Sequence, residues 1–146
     1  MSSLLPNVQF GSRNRQLNNS KEIAELSRKE YMIVLKDTKI TASDVKVVAK
    51  VFQDLLTLED TIDQEKEHYY VMHLDTRSQV KMVELVTIGI LNSSVVHPRE
   101  TYRRAVVAGS AAIIIAHNHP SGEVDPSDED TKITKAMFKV GNISPP

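Results

Sequence analysis

Residues 116–130 read AHNHPSGEVDPSDED. His117 and His119 are one residue apart, and after seven more residues comes a Ser-x-x-Asp pattern, Ser127 to Asp130. Imidazoles and carboxylates at such spacing can ligate a metal ion. The two histidines continue out of "AAIIIA", a short continuous apolar run that reads as a central strand buried on both faces. Strand side chains alternate faces, so His117 and His119 project side by side, their Cβ atoms roughly 6–7 Å apart. Their ring nitrogens can converge on one ion at about 2.0–2.1 Å each. Asn118 points to the opposite face. Pro120 and Gly122 turn the chain, and Asp130, one turn into the next helix, can return a carboxylate to the same ion. Two histidines, one carboxylate and a fourth position for water make the ligand set of a catalytic zinc site. A plainer account uses the same residues: Ser127-x-x-Asp130 alone is a helix-capping pattern, and His-x-His alone is common on polar surfaces. Spacing by itself leaves both accounts open.

The elements that must position these residues follow from pattern. "TASDVKVVAKVFQDLLTLED" places Val45, Val48, Ala49, Phe52, Leu55 and Leu56 on one helical face, with Thr41 and Asp44 resembling a capping box. "EHYYVMHLD" and "VKMVELVTIG" read as two strands joined by the turn "DTRS", a hairpin. "HPRETYRRAVVAG" reads as a helix, with Pro98 in its first turn and Gly109 at its stop. Ser127 opens a last helix whose apolar face is Ile133, Met137 and Val140. Upstream, residues 1–20 read as an arm rich in Ser, Asn and Arg, followed by a short helix at 21–29 and a short strand in "YMIVL" at 31–35. The order helix, strand, strand, helix, strand, helix predicts an α/β architecture with a mixed sheet sandwiched by helices. Residues 1–40 are then the arm and 41–146 the domain.

Composition sets limits. The 146 residues suit one domain, and 40% hydrophobic with 25% charged is ordinary for a soluble globular protein. A net charge of −1 lacks the basic excess of a strong nucleic-acid binder, so direct DNA binding is expected to be weak. The chain has no cysteine, so a metal must be held by His, Asp or Glu. No signal-peptide pattern and no apolar run near the roughly 20 residues of a membrane span is visible. The expectation is a soluble cytoplasmic protein without a membrane.

Other polar residues have simpler readings. Glu67, within "DQEKE", reads unaided as a solvated residue, Glu100 as an early-helix acid favoured by the macrodipole, and Glu84 as a residue on a solvated strand face. His68, His73 and His97 lack ligand spacing and read as surface or sheet-face histidines. Arg99, Arg103 and Arg104 form a basic helical stripe, usually solvated, and Tyr69 and Tyr70 read as strand packing.

The string His117-x-His119, seven residues, Ser127-x-x-Asp130 resembles the JAMM motif of the JAB/MPN metallopeptidase family. "HPRETYRRAVVAGSAAIIIAHNHPSGEVDPSDEDTKIT" and "EHYYVMHLDTRSQVKMVELVTIGILNSS" closely resemble RadC-type proteins, over about residues 41–140. The resemblance implies a JAB/MPN-like fold with the layering of cytidine deaminases. It implies Zn²⁺ on His117, His119 and Asp130, a hydrogen bond from Ser127 to the developing oxyanion, and an upstream glutamate as general acid/base. In the family that glutamate precedes the first strand of the hairpin, where Glu67 stands; Glu100 is the competitor. The implied activity is zinc-dependent hydrolysis of a peptide or isopeptide bond in an unnamed substrate. The alternative is a non-catalytic, DNA-repair-associated or partner-binding factor. Full-length RadC proteins carry an N-terminal helix-hairpin-helix region, which is not visible here, and continue beyond the last helix into two further strands, whereas this sequence ends "KVGNISPP". An unpaired sheet edge is therefore expected, covered by the N-terminal arm or by self-association into a homo-oligomer.

Overall fold

The computed structural model describes residues 9–10, 15–16, 31–34, 40–91 and 96–142. The helix expected at 21–29 lies outside them. The strands are β1 (Gln9–Phe10), β2 (Arg15–Gln16), β3 (Tyr31–Val34), β4 (Glu67–Leu74), β5 (Val80–Gly89) and β6 (Ala112–His117). The helices are α1 (Val45–Leu56), α2 (Thr61–Gln64), α3 (Pro98–Val107) and α4 (Asp128–Gly141). The short α2 has no counterpart in the sequence reading.

The hairpin forms as its composition predicts. Asp75 Oδ1 accepts the backbone N–H groups of Arg77 (2.8 Å) and Gln79 (2.9 Å), which closes the turn between β4 and β5. The strand order is β2-β1-β3-β5-β4-β6. The α/β architecture with flanking helices is as expected, but every described ladder is antiparallel rather than mixed. The reason is the crossover. β5 and β6, joined through α3, run the same way, yet β4 lies between them and is antiparallel to both, so no parallel pair forms.

This also corrects the place of "AAIIIA". β4 is flanked on both sides, by β5 and β6, and is buried from His68 through Leu74, whereas β6 is not flanked so among the described strands. β6 pairs only with β4 among the described residues; Ala112 is exposed and the rest of the strand is half-buried. The described N-terminal strands add to the sheet through β3 on β5, the side away from β6, so none of the described arm strands covers the β6 edge.

Two cores lie on the two faces of the sheet. Tyr70, Met72, Leu74, Val83 and Leu85 pack with Val51 and Leu55 of α1. Tyr69 and Val71 pack with Leu91, Val96 and the Ile133 and Met137 side chains of α4. Full burial of an aliphatic side chain is worth about 1.5–3 kcal/mol, and Val71, Met72 and Val83 are each completely enclosed. Of the α1 face expected from sequence, Leu55 is buried and Val48 and Phe52 pack on the core, but Val51 joins them and Val45 is 82% exposed. Asp44 alone caps α1, accepting from Lys46 N at 2.7 Å and Val47 N at 3.0 Å. Thr41 is no part of a capping box, because it bridges to Gln79 beside the hairpin.

Candidate metal centre

β6 carries His117 at its last position, paired with Tyr69 of β4. Past it the chain leaves the sheet, and Asn118 keeps the ends together. Its Oδ1 accepts His68 N–H at 2.6 Å and its Nδ2 donates to Lys66 O at 3.0 Å. Asn118 thus serves as one more rung between the strands while both histidines stay on the opposite side. The turn at Pro120–Gly122 closes through Gly122 N–H to His119 O at 2.9 Å. Helix α4 begins with a full capping box: Ser127 Oγ accepts Asp130 N–H at 3.1 Å, and Asp130 Oδ2 accepts Ser127 N–H at 2.8 Å. The capping account and the ligand account are therefore compatible, because the box fixes the Asp130 carboxylate where the histidines need it.

The three side chains converge. His117 Nε2 and His119 Nε2 are 2.8 Å apart; Asp130 Oδ1 is 3.2 Å from the first and Oδ2 is 3.3 Å from the second. All three residues offer ligand atoms within 4.8 Å of one another, the one such group among the described residues. Ligands at about 2.0–2.1 Å around a tetrahedral ion stand about 3.3–3.4 Å from each other, so the spacing observed fits one ion with little adjustment. The protons fit as well. His119 Nδ1 lies 2.6 Å from Glu123 O, a carbonyl that can only accept, so Nδ1 carries the hydrogen and Nε2 presents a lone pair. Burial would raise the Asp130 pKa, but the Ser127 hydroxyl and N–H and the adjacent imidazoles outweigh it and keep the carboxyl below its ordinary value. The group is thus held in the ionised form a metal requires.

A cleft of about 440 Å³ opens beside the group, lined by His117, His119, Gly122, Glu123, Val124 and Pro126. Residues 42–144 match the family model for the RadC-like JAB domain. The chain belongs to that family. The RadC-like JAB domain here is 48% identical over 79 residues to a UPF0758 protein of Chlorobium chlorochromatii, covering 54% of this chain and 36% of that one. It is 41% identical over 103 residues to a UPF0758 protein of Desulforamulus reducens, covering 69% and 45%. A UPF0758 protein of Methanosarcina mazei is 43% identical over 81 residues, covering 56% and 35%. The chain spans less than half the length of each of these relatives.

The two glutamates are placed differently in this RadC-like JAB domain. Glu67 opens β4 on the same face as Tyr69. Two residues along β4, Tyr69 pairs with His117, the last residue of β6, so Glu67 lies at the same end of the sheet as the histidines. It is half-buried, and its Oε2 accepts Leu91 N–H at 2.8 Å. Glu100 is engaged instead by Arg99 Nε and by Arg103, each at 3.2 Å. Sequence reading missed the partners that orient the site: the Glu123 carbonyl, the Leu91 N–H and both bonds of Asn118. Backbone groups carry no residue signature, so only the neighbouring glycine and proline hinted at the first.

His97 caps α3, accepting Arg99 N–H at 3.1 Å. Tyr69 and Tyr70 are packing residues, as read. Glu84 is a correction: it is 6% exposed, not solvated, because Arg104 reaches it across the sheet face at 3.1 Å. Among the described residues no helix is long and apolar enough to cross a membrane.

Proposed function

We propose that this domain is a zinc-dependent hydrolase of peptide or isopeptide bonds. The observation that carries the reading is the convergence of His117, His119 and Asp130 at the mouth of a cleft. Two imidazoles and one carboxylate, with no thiol in the chain, suit Zn²⁺ with an open position. Bound there, the ion supplies a water of lowered pKa and a Lewis acid for a carbonyl oxygen.

The chain's own residues do the rest. Glu67 is the general base, taking a proton from water and later handing it to the leaving amine. Leu91 N–H holds Oε2, which leaves Oε1 to turn toward the histidines. Asp130 cannot share this role, because both its oxygens are committed to Ser127 and the imidazoles. The Ser127 hydroxyl, which donates to Asp130 Oδ2 at 2.8 Å, turns to the oxyanion while the Ser127 N–H keeps the carboxylate in place.

The test compares Glu67→Gln with Glu100→Gln on fluorogenic peptides and on isopeptide-linked substrates, with metal content measured in parallel. Glu67→Gln should keep the metal and lose about 10²–10⁴-fold in hydrolysis, the usual worth of an acid/base group. Glu100→Gln should change little. A Glu67→Gln protein that hydrolyses at the parent rate would sink the assignment.

A further inference from the structure

A second polar cluster lies away from the metal centre. His73 is four residues along β4 from Tyr69, hence roughly 13 Å from the rung that holds His117. It is completely buried. Its Nδ1 is 3.0 Å from Ser110 Oγ, and its Nε2 faces Glu84 Oε2 at 3.5 Å. Neither of those last two atoms has a closer hydrogen-bond partner, which is costly for buried polar groups unless they serve each other. Glu84 Oε1 accepts from Arg104 Nε at 3.1 Å. Burial would raise the Glu84 pKa, but His73 and Arg104 outweigh it and hold it below the ordinary carboxylate value. An ionised carboxylate only accepts. The ring proton of neutral His73 therefore sits on Nε2, Nδ1 bears the lone pair, and the Ser110 hydroxyl donates to it.

Ser110 is reachable. It follows Gly109, whose φ of +58° ends α3, and it is only half-buried. Its own N–H is satisfied by Ala105 O at 2.9 Å. Lys81 Nζ sits on Ala108 O at 2.7 Å and offsets part of the negative end of α3.

We propose that Ser110, His73 and Glu84 form a nucleophilic triad, in which Ser110 accepts an acyl or phosphonyl group from an activated ester or a phosphonofluoridate. Ser110 Oγ bonds to the electrophilic carbon or phosphorus, and the leaving group departs with its electron pair. The hydroxyl proton passes to His73 Nδ1, and the imidazolium formed is stabilised by Glu84. Arg104 keeps Glu84 ionised and in position. The triad is independent of the metal centre.

The experiment treats the full chain, with and without added zinc, with a fluorophosphonate probe and maps the adduct by peptide mass spectrometry. Ser110 should be labelled about 10²-fold faster than the exposed Ser43, Ser78 and Ser121, in both metal states. Ser110→Ala should lose the adduct, and Glu84→Gln should slow it. The adduct map of the parent chain serves even if variants at the buried positions fail to fold. Labelling of Ser110 no faster than of the exposed serines would overturn the triad.

Discussion

The backbone carbonyl of Glu123 takes the Nδ1 hydrogen of His119 at 2.6 Å, and so decides which nitrogen of that ring faces Asp130. A ring fixed in this way loses little orientational freedom on binding an ion. His119→Ala should therefore remove most of the metal from a protein that otherwise holds about one ion per chain. Elemental analysis of the variant beside the parent checks it; unchanged stoichiometry would refute the ligand set. Chelation should lower the thermal midpoint, since an ion present at 100-fold its Kd stabilises by about 2.7 kcal/mol.

Asn118 should matter to the metal without touching it. Its amide bonds both Lys66 O and His68 N; Asn118→Ala leaves the His68 N–H unserved, while Lys66 O keeps the His68 Nδ1–H at 2.9 Å. The expected cost is about 1–3 kcal/mol, with weaker metal binding because the end of β6 loosens. Chemical denaturation and a metal titration measure the two effects separately. A variant as stable as the parent would show that water replaces the rung.

Gly141 meets Tyr102. A Cβ added at Gly141 would lie 2.6 Å from Tyr102 Oη, which itself donates to Met137 O at 2.8 Å. Alanine for glycine near a helix end ordinarily helps by up to about 1 kcal/mol, but here the clash should make Gly141→Ala destabilising. In a Tyr102→Phe background the same change should become neutral or favourable. Additive behaviour of the two substitutions in a double-mutant cycle would contradict the contact.

Glu59 makes folding pH-dependent. Burial first, then Asp63 and Asp60, push its pKa from 4.5 to about 7. Between those values the folded protein keeps a proton that the unfolded chain has lost, so this group's contribution to stability falls as pH rises. Glu59→Gln should reduce the difference in unfolding free energy between about pH 5 and about pH 8 and raise stability at the upper value. An unchanged difference would assign the effect elsewhere.

Much of this was legible in the residues. Period-two alternation put His117 and His119 on one face, the turn residues around Asp75 located the hairpin, and Ser127 to Asp130 marked a helix start whose cap also sets the carboxylate beside the histidines. What escaped depends on distant partners. Glu84 looks solvated until Arg104, 20 residues away, neutralises it. Ser110 and His73 carry no spacing pattern because their contact crosses from a helix end to the sheet, 37 residues apart. Continuous apolarity made β6 look central. That property belongs to β4, whose tyrosines and histidines disguise a strand enclosed on both faces.

The split crossover has a consequence for the order of assembly. The three residues of the candidate metal group lie within residues 117–130, separated by one short turn, so bringing them together closes a small loop. Glu67 stands on the β4–β5 hairpin, which β6 meets only through distant pairings, with His68 reaching Asn118 across 50 residues. Non-local pairings of that kind form late. The proposed metal group can therefore close before β6 docks on β4, and Glu67, the proposed base, meets it only when the sheet is complete. On the proposed reading, hydrolytic competence is tied to the last step of folding, and a half-made domain that has loaded metal is expected to stay inert toward neighbouring chains.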